Sequence, residues 1–401
     1  MNINKWRQDF PQIKNNLVYL DSAAMSLKPL SVIESVNHYY QDLSVNIHRG
    51  LYDISVEATT LYENTREVIA KYVNASVEEI VYTRGTTASL NLVASSYGLS
   101  HLHEGDEVIV SELEHHSSII PWQEVAKKTK AILKYIPLDI DGRITLENFQ
   151  TVLSDKTKVI ALTYVSNVMG YITPIEQITH IAHQKNIIVV VDGAQALPHL
   201  KVDVKALDID FLAFSGHKML GPTGIGILYG KKHLLNSLEP TEFGGDMNDE
   251  VTKESASWKD SPYRFEAGTM PVASVIGFKD AFDYFNKYSI DEIEKHTMSI
   301  YRYTMARLSK IDGIEIYNPK SDTAIIAFNI KNVPSHDAVS FYSEKNICLR
   351  SGHHCAQLVT KWLGVPACLR ASFYLYNDFK DADAFVDATI EAVSFFKRLG
   401  F

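Results

Sequence analysis

From about Glu63 to Gly230, short β-branched runs alternate with amphipathic stretches, and no other feature of the chain constrains its fold as tightly. The runs are Glu79–Tyr82, Glu107–Val110, Val159–Tyr164, Ile187–Val191 and Phe211–Phe214. The stretches between them, such as Thr86–Tyr97, Ser118–Thr129 and Ile175–Lys185, read as helices. That alternation predicts an α/β domain around a largely parallel sheet, with ligands bound beyond the carboxyl ends of its strands. After Met270 the pattern changes to a long helical stretch, Val272–Arg307, followed by the strand-like runs Ile314–Tyr317, Ala324–Ile330 and Ile347–Arg350. This part reads as a smaller α+β domain. We expect residues 20–275 to form the large domain, and residues 1–19 with 276–401 the small one.

The residues with chemical potential follow the runs. His115 comes after the Glu107 run, Asn167 after the Val159 run, Asp192 after the Ile187 run and Lys218 after the Phe211 run. The last of these is the most telling. Phe211-Leu-Ala-Phe214 stops abruptly at Ser215-Gly-His-Lys218, and the following Gly221, Pro222, Gly224 and Gly226 read as a loop rather than a helix or strand interior. A lysine at the end of a buried strand, beside hydroxyl and imidazole donors, suits a Schiff base with a carbonyl cofactor such as pyridoxal phosphate. The bland alternative is a surface lysine after a core strand, and the neighbouring motifs argue against it.

Ahead of one helical stretch, Thr83-Arg-Gly-Thr-Thr87 offers hydroxyls, a glycine for close approach and free N–H groups for an anion; otherwise it is an ordinary threonine cap. Asp192, at the mouth of the most apolar run, calls for a cation such as a protonated pyridine nitrogen, or else caps the next helix. His115, in Glu112-Leu-Glu-His-His116, has an imidazole able to stack on a flat ring. In Arg350-Ser-Gly-His-His-Cys355 a cysteine sits among cationic and polarising groups on a glycine-flanked loop, which predicts a mobile thiol of lowered pKa. Cys348, in an apolar run, suits a small buried hydrophobe instead. Arg370 is either a bidentate clamp for an α-carboxylate or a surface salt bridge. No metal site is expected: His353, His354 and Cys355 are adjacent, and adjacent side chains rarely point at one ion.

Composition narrows the class. A chain of 401 residues suggests about two to three domains. Its formal charge of -9 argues against nucleic acid as a partner. The first ten residues carry charges and no apolar core, and no apolar run approaches the ~20 residues needed to span a bilayer, so neither a signal peptide nor a membrane anchor is expected. Three cysteines without paired spacing point to a reducing cytoplasm rather than a disulfide framework.

In order along the chain, Tyr19-Leu-Asp-Ser-Ala-Ala24, Asn46-Ile-His-Arg-Gly50, Arg84-Gly-Thr-Thr87, Glu114-His-His116, Val165-Ser-Asn167, Val191-Asp-Gly-Ala-Gln195, Ser215-Gly-His-Lys218, Arg264-Phe-Glu-Ala-Gly-Thr269 and Gly352-His-His-Cys355-Ala are all present. Together they resemble the class V, fold-type I pyridoxal-phosphate enzymes, and among these the Suf-type (group II) cysteine desulfurases. The resemblance implies a large domain with a mostly parallel seven-stranded sheet and a smaller α+β C-terminal domain. It implies that Lys218 holds the cofactor, that His115 stacks on its ring, that Asp192 pairs with the pyridine nitrogen and that Gln195 meets the phenolic oxygen. Thr86, Thr87, Ser215 and His217 fall to the phosphate, with Thr269 arriving from the second subunit of a homodimer. Asn167 and Arg370 hold the substrate, L-cysteine. Cys355 accepts the sulfur as a persulfide, Arg350 lies beside it, and His48 and Arg49 line the site near the dimer contact.

The resemblance also implies a protein sulfur acceptor, in some members a small zinc-bearing SufU-type sulfurtransferase. A histidine matching His336, in Pro334-Ser-His-Asp337, then becomes a ligand of the partner's zinc; otherwise His336 simply begins a helix. Selenocysteine lyase activity shares the scaffold. Four residues depart from the pattern: Leu358 and Met270 stand where proline is frequent, Tyr52 where a second histidine is, and Met25 where a small residue is usual.

Overall fold

The computed structural model describes residues 3–14 and 16–401. Its centre is a sheet of β1 (Ile80–Thr83), β2 (Glu107–Ser111), β3 (Ile132–Ile136), β4 (Thr157–Thr163), β5 (Ile188–Asp192), β6 (Phe211–Ser215) and β7 (Gly226–Gly230), in the order β1-β7-β6-β5-β4-β2-β3. Strand β7 runs antiparallel to both neighbours, while the pairs along the rest of the sheet are parallel. Successive residues of a strand face opposite ways, and here both faces are covered. Ile109, Ile160, Val189, Leu212 and Ile227 enter one core, while Val108, Val159, Val190, Phe211 and Leu228 enter another. This explains why these strands read as unbroken apolar runs rather than alternating ones.

Helices α1 (Leu30–His38) and α2 (Asp53–Val73) precede the runs, and α3 (Thr86–Val93), α4 (His116–Thr129) and α5 (Ile175–His183) come from the segments between them. The long helical stretch is two helices, α6 (Val272–Tyr288) and α7 (Ile290–Leu308). Ser289, with φ of 57°, separates them, because a left-handed residue cannot continue a right-handed helix. Helix α6 packs on α1 and α2 and buries Val275, Phe278 and Phe282 in the larger core. The expected break between 275 and 276 therefore falls inside one helix, and the larger core reaches into α7 as far as Ile293, with the smaller core taking over from Ile300.

Beyond Ser289 lies a four-stranded antiparallel sheet of β8 (Ile314–Ile316), β9 (Ile325–Ile330), β10 (Arg350–Gly352) and β11 (Cys368–Ser372), in the order β8-β9-β11-β10. Residues of α7, α8 (Ser335–Glu344) and α10 (Phe379–Arg398) complete its core with Ile326, Phe328 and Leu369, and the short helix α9 (Gln357–Trp362) follows the Cys355 loop. Val18–Tyr19 pairs with Ile347–Cys348, so the start of the chain joins this smaller unit, whereas Trp6 and Phe10 enter the larger core. Arg143 ties the two units together: its guanidinium forks onto Asp322 at 2.6 and 3.1 Å and stacks over Tyr171. No helix of the described residues is long and apolar enough to cross a membrane.

Candidate active site

The carboxyl ends of β1, β2, β4, β5 and β6 all open on one side of the sheet, because β1 and β6 run the same way on either side of β7. Thr83 and Ser215 both face Gly226 in register. A Cβ on Gly226 would sit 2.3 Å from the Gly85 Cα, so only glycine there lets the turn before α3 come this close. The turn places Thr86 on Ser215: its N–H donates to the Ser215 hydroxyl at 2.7 Å, and the two hydroxyls share a 2.6 Å hydrogen bond. Thr87 and Ser117 share another at 2.7 Å.

A cavity of about 220 Å³ lies over these strand ends, lined among others by Thr86, Thr87, His115, Asn167, Asp192, Ser215, His217, Lys218, Arg350, Cys355 and Arg370. Lys218 lies on a single helical turn directly after β6. Loss of hydration there pulls its amine down to about 8, against the opposing pull of the Asp192 carboxylate. Asp192 is buried and accepts the Ala194 N–H at 2.9 Å; burial pushes its carboxyl up, and the charge of Lys218 offsets this only in part.

The ring of His115 caps α4, with Nδ1 accepting the Ser117 N–H at 3.2 Å. Burial, then the charge of Lys218, hold its imidazole down to about 3, so the ring is neutral and its hydrogen sits on Nε2. His217 is likewise held down to about 4 by burial.

Arg370 is no surface salt bridge. It is 1% exposed, donates to Asp21 at 2.9 Å and to the Asn167 carbonyl at 2.9 Å, and leaves its buried Nε without a partner. A buried guanidinium with a spare donor at a cavity is suited to a carboxylate. Cys355 is exposed at the rim, and Arg350 reaches its Sγ at 3.8 Å. Among the other thiols, Cys368 is buried and pushed up to about 12, and Cys348 is half-buried.

The Cys355 loop is hydrogen-bonded to the larger unit. His354 and Cys355 are consecutive left-handed residues, with φ of 53° and 56°. Asn167 donates its carboxamide to the His354 carbonyl at 2.8 Å, and the His116 N–H donates to the Cys355 carbonyl at 2.7 Å.

Several expected residues lie elsewhere in the single chain. His48, Arg49 and Thr269 line a separate cavity of about 360 Å³; His48 bonds Glu63 at 2.9 Å, and Arg49 pairs with Asp246. Thr269 follows Glu266, which is buried and gripped by both arms of Arg66 at 2.7 and 2.9 Å. Gln195 sits just behind the cavity lining and donates to the Ala23 carbonyl at 2.6 Å. His336 is exposed in the first turn of α8, and among the described residues no hydrogen bond joins its ring to Asp337. A further cavity, about 590 Å³ beside Arg84, Glu242 and Phe265, shares no lining residue with the Lys218 cavity.

Three contributors were not singled out from the sequence. Ser117 fixes the His115 tautomer, Asp21 holds Arg370, and Lys28 donates to the His217 carbonyl at 3.1 Å beside the Lys218 turn. Asp21 and Ser117 sit in or next to recognisable motifs, whereas Lys28 had no local signal at all.

The donor set fits pyridoxal phosphate. It combines an amine of lowered pKa, a buried carboxylate lacking a full counter-charge, a neutral imidazole, and hydroxyls around the N-terminus of α3. Among the described residues no group of His, Cys, Asp and Glu side chains is arranged to hold a metal.

Comparison with known proteins agrees. The family model for aminotransferase class-V matches residues 18–385. A protein of Halalkalibacterium halodurans named "Probable cysteine desulfurase" is 48% identical over 390 residues, covering 96% of each chain. One of Staphylococcus aureus with the same name is 45% identical over 402 residues, covering 98% of this chain and 97% of the other. The crystal structure of the cysteine desulfurase CsdA from Escherichia coli superposes with a TM-score of 0.94 at 38% identity, covering 98% of this chain and 99% of that one. The chain belongs to the class V aminotransferase family, and its relatives there are cysteine desulfurases.

Proposed function

We propose that this chain removes sulfur from L-cysteine, leaving L-alanine and a persulfide on Cys355. What supports the reading is the exposed thiol of Cys355 on the rim of the cavity that holds Lys218 and Asp192. Ser215, Thr86, Thr87 and His217 would hold the phosphate of pyridoxal phosphate, and His115, Asp192 and Gln195 would hold its ring. When bound, the cofactor supplies an electron sink in conjugation with the substrate carbon.

The protein's own side chains do the rest. Arg370 and Asn167 hold the substrate carboxylate. Lys218, with an amine at about 8, carries the Cα proton as a base near neutral pH. The Cys355 thiolate, with Arg350 beside it, attacks the substrate sulfur. A bond forms between the two sulfurs as the carbon–sulfur bond breaks, and the carbon side takes up protons to become alanine. The balance is one thiol and one cysteine in, one persulfide and one alanine out.

Thr269, His48 and Arg49 act on the cavity of a second copy, which makes the working unit a homodimer. Leu51, 98% exposed, together with the exposed Tyr52, Ile54 and Val56, gives that region an apolar surface suited to burial against another chain. The sulfur acceptor is a protein, and His336 is its zinc contact. Ser335, the neighbour of His336, bonds Ser351 of β10 at 2.9 Å, on the strand that leads into the Cys355 loop.

The test is incubation with L-cysteine, with mass mapping of the protein in the absence of reductant and assay of products in its presence. Alanine and sulfide in equal amounts, with the persulfide on Cys355, are expected. A persulfide on Cys348 or Cys368 overturns the reading.

A further inference from the structure

His116 has no part in the chemistry described so far, yet it touches the Cys355 loop twice. Its backbone N–H donates to the Cys355 carbonyl at 2.7 Å, and its Nε2 accepts the Gln357 N–H at 3.1 Å. Gln357 is the first residue of α9, two positions past the thiol. An imidazole nitrogen accepts a hydrogen bond only when it carries no proton. Burial, together with the neighbouring His353, holds the pKa of His116 down, which keeps the acceptor available.

The loop needs such a hold. Two consecutive non-glycine residues in the left-handed region are strained, and such a conformation persists only where the surroundings fix it. The larger core supplies the fixing points. Asn167 takes the His354 carbonyl, the His116 N–H takes the Cys355 carbonyl, and the His116 ring takes the first free N–H of α9. Without the ring, only the backbone bond from His116 spans the thiol on that side.

We propose that His116 is a positioning residue: its neutral imidazole latches α9 to the strand-end side of the cavity and so fixes the Cys355 thiol where it meets substrate sulfur. The proposal rests on the reading of Cys355 as the sulfur acceptor. It assigns His116 no contact with substrate or cofactor, and it distinguishes the two adjacent histidines, one facing the cofactor and one facing the loop.

The test uses the holoenzyme of His116→Phe, which keeps a flat ring without an acceptor, and of His116→Gln, which restores an acceptor oxygen. Hydrogen exchange of the peptide containing Gln357 is read beside steady-state kinetics and the visible spectrum of the cofactor. In His116→Phe, exchange at Gln357 quickens and kcat falls, each by about tenfold, the equivalent of one hydrogen bond, while KM and the spectrum stay as in wild type. His116→Gln recovers most of both losses. Wild-type exchange and kcat in His116→Phe overturn the proposal, as does a changed cofactor spectrum, which would mark a role at the cofactor instead. Exchange is read without turnover, so a persulfide found away from Cys355 rejects the desulfurase assignment of that thiol and leaves the latch measurement separately readable.

Discussion

The Lys218 turn and the Cys355 loop border one cavity but are built in opposite ways. The turn belongs wholly to the larger unit. The His217 carbonyl, next to Lys218, receives the Ser26 N–H at 3.0 Å, the Ser26 hydroxyl at 3.1 Å and the Lys28 amine at 3.1 Å. The loop leaves the smaller sheet through β10, yet its carbonyls are held by Asn167 and His116 of the larger unit. The amine is withdrawn from water, which lowers its pKa to about 8 and makes it a base near neutrality. The thiol is exposed, which leaves its sulfur open to an acceptor from outside the cavity. Cys368 shows what the other choice would give: it is buried on β11 opposite Gly352, and its thiol is pushed up to about 12. Under the proposed reaction, proton handling calls for burial and sulfur transfer for exposure, and the two groups come from different units that border one cavity.

The severest break of this contrast is Lys218→Ala. Turnover of L-cysteine is expected to fall by about 10²- to 10⁴-fold, the usual worth of a positioned general base, while the protein stays folded because the side chain ends in a cavity rather than a core. Retention of more than about a tenth of wild-type activity would sink the assignment. Next comes Cys355→Ala, which is expected to keep the cofactor spectrum and its response to L-cysteine but form no persulfide and no alanine. Cys368→Ala keeps both. If the two cysteine variants behave alike, exposure is not what distinguishes these thiols.

A milder test reads the burial of Lys218 directly. Capture of pyridoxal phosphate by protein stripped of it needs the neutral amine. An ordinary lysine near 10.4 would reach that form only at high pH, whereas this one passes through it near 8. Because the pKa is depressed, the neutral fraction and the capture rate rise as pH increases through about 8 and level off above it. The Asp192 carboxylate holds the amine up, so Asp192→Asn moves the midpoint lower still. The rate is followed by the visible absorbance of bound cofactor, and a rise continuing unchanged to pH 10 rejects the desolvated amine.

How much of this was legible in the chain depends on how local the signal is. Strand ends carrying His115, Asn167, Asp192 and Lys218 are short-range features, since an apolar run followed by a polar turn reads the same in sequence and in space. Strand β7 escaped notice because Gly226 and Gly230 bound it, and those glycines serve close packing against Gly85 and Leu235 rather than a loop. The edge strand β3 escaped because its outer residues are partly exposed and give no buried run. The pinned state of Cys355 was invisible for a different reason. It depends on Asn167 and His116, roughly two hundred residues away, and nothing near Gly352 encodes the partners of its carbonyls.

The gentlest test bears on His336 and the proposed delivery of sulfur to a partner. His336 stands exposed in the first turn of α8, outside the Lys218 cavity. Its helix is tied to the strand before Cys355 by the 2.9 Å bond between Ser335 and Ser351. Nothing joins the imidazole to Asp337 among the described residues, which leaves both ring nitrogens free for an incoming metal. His336→Ala is therefore expected to leave turnover with a chemical reductant unchanged, while abolishing the stimulation produced by a zinc-bearing sulfurtransferase. The readout is alanine formation with and without that partner, at matched cofactor content. Equal stimulation of variant and wild type removes His336 from the delivery route, and loss of basal turnover shows that α8 supports the Cys355 loop itself rather than the partner.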